Sequence, residues 1–144
     1  MRSSSRGLRM PSIEEGINDY LSGLSAVTAL IGTDPVRLYP MRMPEKFAGT
    51  TLVYAKISGP RQVSHSGDSN LIRSRFQFSS WAKTYDDARS LSLQVTKAFS
   101  GIAATLSGIR VGAAEVENDL DDFDDETKLY RRLVDVVLWH EEAS

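Results

Sequence analysis

The densest group of side chains able to do chemistry is acidic. Glu115, Glu117, Asp119, Asp121, Asp122, Asp124, Asp125 and Glu126 fall within a dozen residues. Carboxylates at this density suit Ca²⁺ or Mg²⁺, which take oxygen ligands. The spacing lacks the turn glycine and distal glutamate of a calcium-binding helix-loop-helix, so the alternative is a solvated connection kept soluble by its charge. A third reading is geometric: in a ring of identical subunits this segment would repeat as an acidic collar. The two histidines, His65 and His140, have no activating acid or nucleophile beside them, and Ser66 next to His65 is not a base–nucleophile geometry. There is no GxxxxGK[ST] or GxGxxG phosphate loop. Arg73, Arg75 and Gln77 line one face of a strand, with Arg61 just before it. They read either as cross-strand partners of Asp135 and Glu117 or as contacts to phosphates or an acidic partner. No catalytic, cofactor-binding or metal-ligating residue is assigned.

Composition narrows the classes further. The chain has 144 residues, 41% hydrophobic and 25% charged, with net charge −2, which fits one soluble globular domain with no overall attraction to nucleic acid. It has no cysteine, which excludes disulfides, thiolate metal sites and a cysteine nucleophile. No apolar run approaches the roughly 20 residues of a membrane span. The start, MRSSSRGLRMPS, is basic and Ser-rich with no apolar segment behind it, so it does not read as a secretory signal. Residues 1–11, with Arg2, Arg6 and Arg9, read as a flexible basic arm, and 12–144 as a single domain.

The elements follow from hydrophobic period. Ser12 caps a first helix with apolar stripe Ile13, Ile17, Tyr20, Leu21 and Leu24, and SAVTALIG adds a second short helix ending at Gly32. A short strand over Val36–Tyr39 and an irregular loop over 40–50 precede the strand TLVYAKIS, 51–58. Residues 60–70 are polar, with a turn near Ser66-Gly67-Asp68. Residues 71–82 alternate as a strand. Thr84 then caps a helix whose apolar positions run from Ala88 to Leu106, with Gly108 as its C′ glycine. A strand over 109–117, an acidic loop NDLDDFDDET and a last strand over 128–142 complete an α+β chain. The last strand is apolar on both faces: Tyr130, Val134, Val136 and Leu138 on one, Leu133, Val137 and Trp139 among Arg131 and Asp135 on the other. Trp81 sits on the second face of its own strand in the same way. That second face is covered either by the first helix or the Met-Pro loop, or by another subunit.

The order of these pieces resembles the tail-completion proteins of long-tailed bacteriophages, also called tail terminators or tail-to-head joining proteins. The resemblance is carried by AVTALIG, VRLYP, TLVYAKISG, NLIRSRFQFSSWAKTYDDARSLSLQVTKAF and DDFDDETKLYRRLVDVVLWHE, across residues 13–141. The chain departs in having Gly49-Thr50-Thr51 where such proteins often place a proline before the second strand. The resemblance implies an α+β fold with a mixed or antiparallel β-sheet packed against one long α-helix of about residues 84–107 and a smaller N-terminal helix. It also implies a non-enzymatic, cofactor-free homo-oligomer: a hexameric ring that stops tail-tube growth. The ring would meet the tail tube protein on one side and the head–tail connector or stopper on the other, with DNA passing through its hole without sequence-specific binding and no membrane involved. Its place would be the head-proximal end of the tail in the virion, reached by assembly in the host cytoplasm. From pattern, and not from known family sites, Trp81, Leu133, Val137 and Trp139 are the candidate subunit interface. Arg42, Lys46, Arg61, His65, Asp121, Asp122 and Asp124 are candidates for tube or connector contact. The alternative function is a small acidic-loop metal-binding or regulatory binding module.

Overall fold

The structure is a computed structural model that describes residues 12–58, 72–102 and 104–141. The basic arm 1–11 and the loop 60–70 lie outside the described residues. The order is α1 (Ile13–Ser22), α2 (Ser25–Ile31), β1 (Leu38–Pro40), β2 (Thr51–Ser58), β3 (Ile72–Ala82), α3 (Tyr85–Phe99), β4 (Ala104–Leu106), β5 (Ile109–Asp124) and β6 (Leu129–His140). The strands form one curled sheet in the order β1-β2-β3-β6-β5-β4. Only β1 and β2 are parallel; every other pair is antiparallel. Register slips in β5 between Val111 and Ala113 and between Glu117 and Asp119 add the local twist that curls such a sheet.

The expectation of an α+β fold with one long helix of about 84–107 laid on a sheet is overturned. Among the described residues the chain is mostly β, with three short helices. The longest helix, α3, stops at Phe99: Ser100 is already extended, and Gly101 has a φ of 68°. The apolar spacing through Ile102 and Leu106 suggested further turns, but Leu106 is buried from β4 instead. Gly108 is not a helix cap. With Ser107 it forms the two-residue turn of the β4–β5 hairpin, both residues at positive φ, as a primed turn requires. The acidic segment is no loop either, because β5 runs through it to Asp124.

Local chemistry explains the helix starts. The Ser12 hydroxyl accepts from the Glu15 amide while the Glu15 carboxylate accepts from the Ser12 amide, a capping box. Thr84 accepts from the Asp87 amide, with Asp86 and Asp87 in the positive first turn of α3. Gly16 lowers helix propensity, yet a Cβ there would stand 2.8 Å from the Leu106 carbonyl, so the glycine is what lets α1 seat against β4. The core lies on the helix side of the sheet. Ile17, Leu21, Leu52, Phe76, Leu91, Val95, Phe99, Val136 and Leu138 are fully buried there. Among the described residues no helix is long and apolar enough to cross a membrane.

Candidate assembly surface

Among the described residues the sheet's other face carries no helix. Across β3 and β6 it pairs Trp81 with Arg131, Ser79 with Leu133, Gln77 with Asp135, Arg75 with Val137 and Arg73 with Trp139. The four candidate interface residues thus share one face, strung along roughly 27 Å of strand at about 3.3 Å per residue. Trp81, Leu133 and Trp139 are half-buried, whereas Val137 is fully buried between Arg75 and Glu115 in the register. The guanidinium of Arg131 lies 4.9 Å from the Trp81 ring centre and that of Arg73 lies 5.9 Å from Trp139. Each tryptophan is therefore held under a cation, an arrangement that adds attraction at little desolvation cost. The Met-Pro loop shares a cleft with one end of this face: Met41, Arg42 and Met43 line it together with Val53, Gln77, Trp81 and Arg131. The rest of the face carries no cover among the described residues.

Its middle is polar and tightly paired. Arg75 donates to Glu117 at 2.6 Å and to Asp135 at 3.4 Å. Asp135, 9% exposed, also accepts from Gln77 and from Asn118. The Glu117 bond is the main cause holding the Arg75 guanidinium above its ordinary pKa. The Arg75 pairs were legible in the sequence. Asn118 was not, because it reaches Asp135 only from a left-handed bulge position with φ of 46°.

Beyond the core, β5 and β6 continue as a hairpin arm whose acids are matched to arginines. Arg132 donates two bonds to Asp119, at 2.8 and 2.7 Å, and lies 3.4 Å from Asp121. The Asp119 bond is the largest cause raising its pKa. Arg131 pairs with Asp122. The Thr127 hydroxyl donates to Asp124 at 2.6 Å and lowers that carboxyl's pKa. Tyr85, Phe123 and Tyr130 form a ring cluster on the helix side. Asp121 and Asp122, one residue apart on a strand, point to opposite faces and cannot converge on one ion. Among the described residues no three His or carboxylate groups are placed to hold a metal. The signal that could have revealed this arm is the run of aspartates followed, one turn later, by Arg131-Arg132.

Of the candidate contact residues, Arg42 and Lys46 are exposed on the Met-Pro loop, Asp121 and Asp122 are exposed on the arm, and Asp124 is half-buried near its tip. Arg61 and His65 lie outside the described residues. Arg131, which lines the cleft beside Arg42, also pairs with Asp122, so that arginine stands between the loop and the acidic row.

His140, 5% exposed, is held from both sides. Its Nδ1 lies 2.7 Å from the Glu141 carbonyl and its Nε2 lies 2.8 Å from the Ser74 hydroxyl. Since a carbonyl only accepts, Nδ1 carries the proton and Nε2 accepts from Ser74. Burial is the main cause pushing its pKa below 6.5, opposed by the Glu141 bond; Lys56 pushes the same way as burial and Glu14 against it. The unfolded chain then binds this proton at a higher pH than the folded one. His140 therefore gives stability that is present above about 6.5 and lost as pH falls through the depressed folded value. Thermal melts between about pH 7.5 and pH 5 should show a smaller acid loss in His140→Gln than in the parent. Equal losses would contradict the assignment.

The chain's sequence matches the family model described as tail completion protein gp17 over residues 16–141. No curated protein matches it. A chain from the virion of a native gene transfer agent particle shares the fold with a TM-score of 0.66 at 19% identity, covering 88% of this chain and 92% of that one. A second solved structure aligns with a TM-score of 0.59 at 14% identity, covering 90% of this chain and 94% of the other. At these identities the two structures speak to fold alone.

Proposed function

The chain belongs to the tail completion protein gp17 family, and from that premise we propose that it caps the finished tail tube as a ring and forms the joint to the head. It is a structural tail protein of a phage-like virion. In the proposed ring the partners on the two sides are the tail tube protein below and the connector or stopper of the head above. DNA passes through the hole without base-specific contacts, and no catalytic step is involved. The ring is a hexamer at the head-proximal end of the tail.

The observation that carries this reading is the sheet face, free of helices among the described residues, with Trp81, Leu133 and Trp139 half-buried on it. A monomer gains nothing from presenting two tryptophans and a leucine on one open face, whereas a subunit contact buries them. A closed ring needs a lateral surface that fits a different surface on its neighbour. The open face and the Met-Pro loop beside it supply two such unlike surfaces. The fold is shared by a chain of a gene transfer agent virion, which agrees with a place in a phage-like particle. The metal-binding alternative is not favoured, since most carboxylates of the acidic segment are engaged with arginine or threonine.

Particles assembled without this protein test the reading. Expected are filled heads beside unattached tails, or tails of uncontrolled length. Joined particles of normal tail length would contradict it.

A further inference from the structure

The helix side of the molecule carries an apolar groove that its own packing leaves open. It lies between the α1–α2 corner and the C-terminal half of α3, with a volume of about 390 Å³. Tyr20, Leu24, Val27, Ala98 and Ile102 line it, and Lys97 stands at its rim. Tyr20, Leu24, Ala98 and Ile102 are only half-buried against the core, so apolar surface stays wet there. The Tyr20 hydroxyl donates to the Ala98 carbonyl and ties the two walls together, so the groove is preformed. Along the solvent side of α3, Arg89, Leu93 and Lys97 recur every four residues, and Leu93 is 42% exposed. Neither Arg89 nor Lys97 makes an ion pair among the described residues.

The tip of the β5–β6 hairpin has the matching character. Phe123 is exposed there beside the turn 125–128. Asp125 and Glu126 are exposed in that turn, and neither makes an ion pair among the described residues. With Asp124 they outweigh the nearby cation, Lys128.

We propose that the groove receives the hairpin tip of a second copy. Phe123 enters between α2 and α3, and the carboxylates of Asp125 and Glu126 meet Lys97 and Arg89. An exposed aromatic edged by acid fits an apolar slot edged by base. A chain's own tip does not fill its own groove. Asp121 accepts from the Tyr85 hydroxyl at 3.1 Å, and Phe123 packs on Tyr130, which packs on Tyr85, so the arm is held at the start of α3. Lys97 lies a further roughly 18 Å along that helix, at about 1.5 Å per residue. Tip and groove are different surfaces of one chain, so the contact is head-to-tail, the kind that closes a cycle. It rests on the ring reading and adds a second lateral contact to the open sheet face, which continues onto the arm through Leu133 and Leu120.

The chain has no native cysteine, so Lys97→Cys with Asp125→Cys can be bridged by a short bismaleimide in assembled particles. Expected on a denaturing gel is a ladder of linked chains beyond the dimer. Either single variant, and a control pairing Asp125→Cys with the exposed Thr33→Cys, should give none. In a second measurement, Lys97→Glu and Asp125→Lys each lower infectious yield, and the two together recover it at least about tenfold over either alone. Monomers alone from normally joined particles overturn the proposal, as does a double charge variant no better than its singles. A ring imaged in those particles without a ladder removes this contact alone, whereas particles without a ring remove both readings.

Discussion

Particles assembled with Trp139→Glu should carry heads and tails that do not join, while the purified variant melts within about 1 kcal/mol of the parent. Trp139 is half-buried on the open face and lies outside the helix-side core cluster, so the free subunit loses little core when it is replaced. A glutamate there faces Arg73 across the strand pair and keeps a cation beside it. In the proposed ring the same carboxylate must be stripped of water at every lateral contact. Losing a buried tryptophan anchor commonly costs 2 kcal/mol or more, roughly thirtyfold in affinity for each contact. Since each copy meets two neighbours, the loss repeats around the ring. Infectious yield is the readout, and an unchanged yield would remove Trp139 from the interface. Val137 does not serve for this experiment. It is fully buried, so a charge there would report on folding.

The largest effect on stability is expected from Phe99→Ala. Phe99 is the last residue of α3, has no exposure, and stacks between Phe78 at 5.3 Å and Tyr20 at 5.5 Å. It therefore joins three elements: α1 through Tyr20, β3 through Phe78, and α3. The Tyr20 hydroxyl also donates to the Ala98 carbonyl, so the same corner carries a polar tie. Truncating a buried phenylalanine costs about 3–5 kcal/mol, a large part of the 5–15 kcal/mol that holds a typical domain folded. A melting temperature lower by about 10–20 °C is the expected result. A drop of only a few degrees would mean that the corner repacks and that α1 is held elsewhere.

What could be read from the sequence was what depends on neighbouring residues. The starts of α1 and α3 carried their own capping side chains, and β3 alternated cleanly before Thr84, so those boundaries came out within a residue. The ion pairs of Arg75 were also legible, since its strand and the last strand showed polar positions facing one another. The end of α3 was not legible. Ile102 and Leu106 prolong the apolar stripe, and nothing within that segment announces that Leu106 will instead enter a hairpin with Ile109. The acidic arm failed for a similar reason. Aspartate disfavours strands, so five of them between 119 and 125 read as a loop until Arg131 and Arg132 are placed opposite. The candidate interface was legible as a doubly apolar strand, but not the full burial of Val137, which depends on what flanks it across two other strands.

In the proposed assembly this chain works as identical copies closed into a ring at the top of the tail. Imaging purified particles at a resolution that separates subunits tests it most directly. Expected is a single ring of copies at the head-proximal end of the tube, with the open sheet face of each copy buried against the next. A lone copy in an intact particle, or a ring in which Trp81 and Trp139 face solvent, would contradict it.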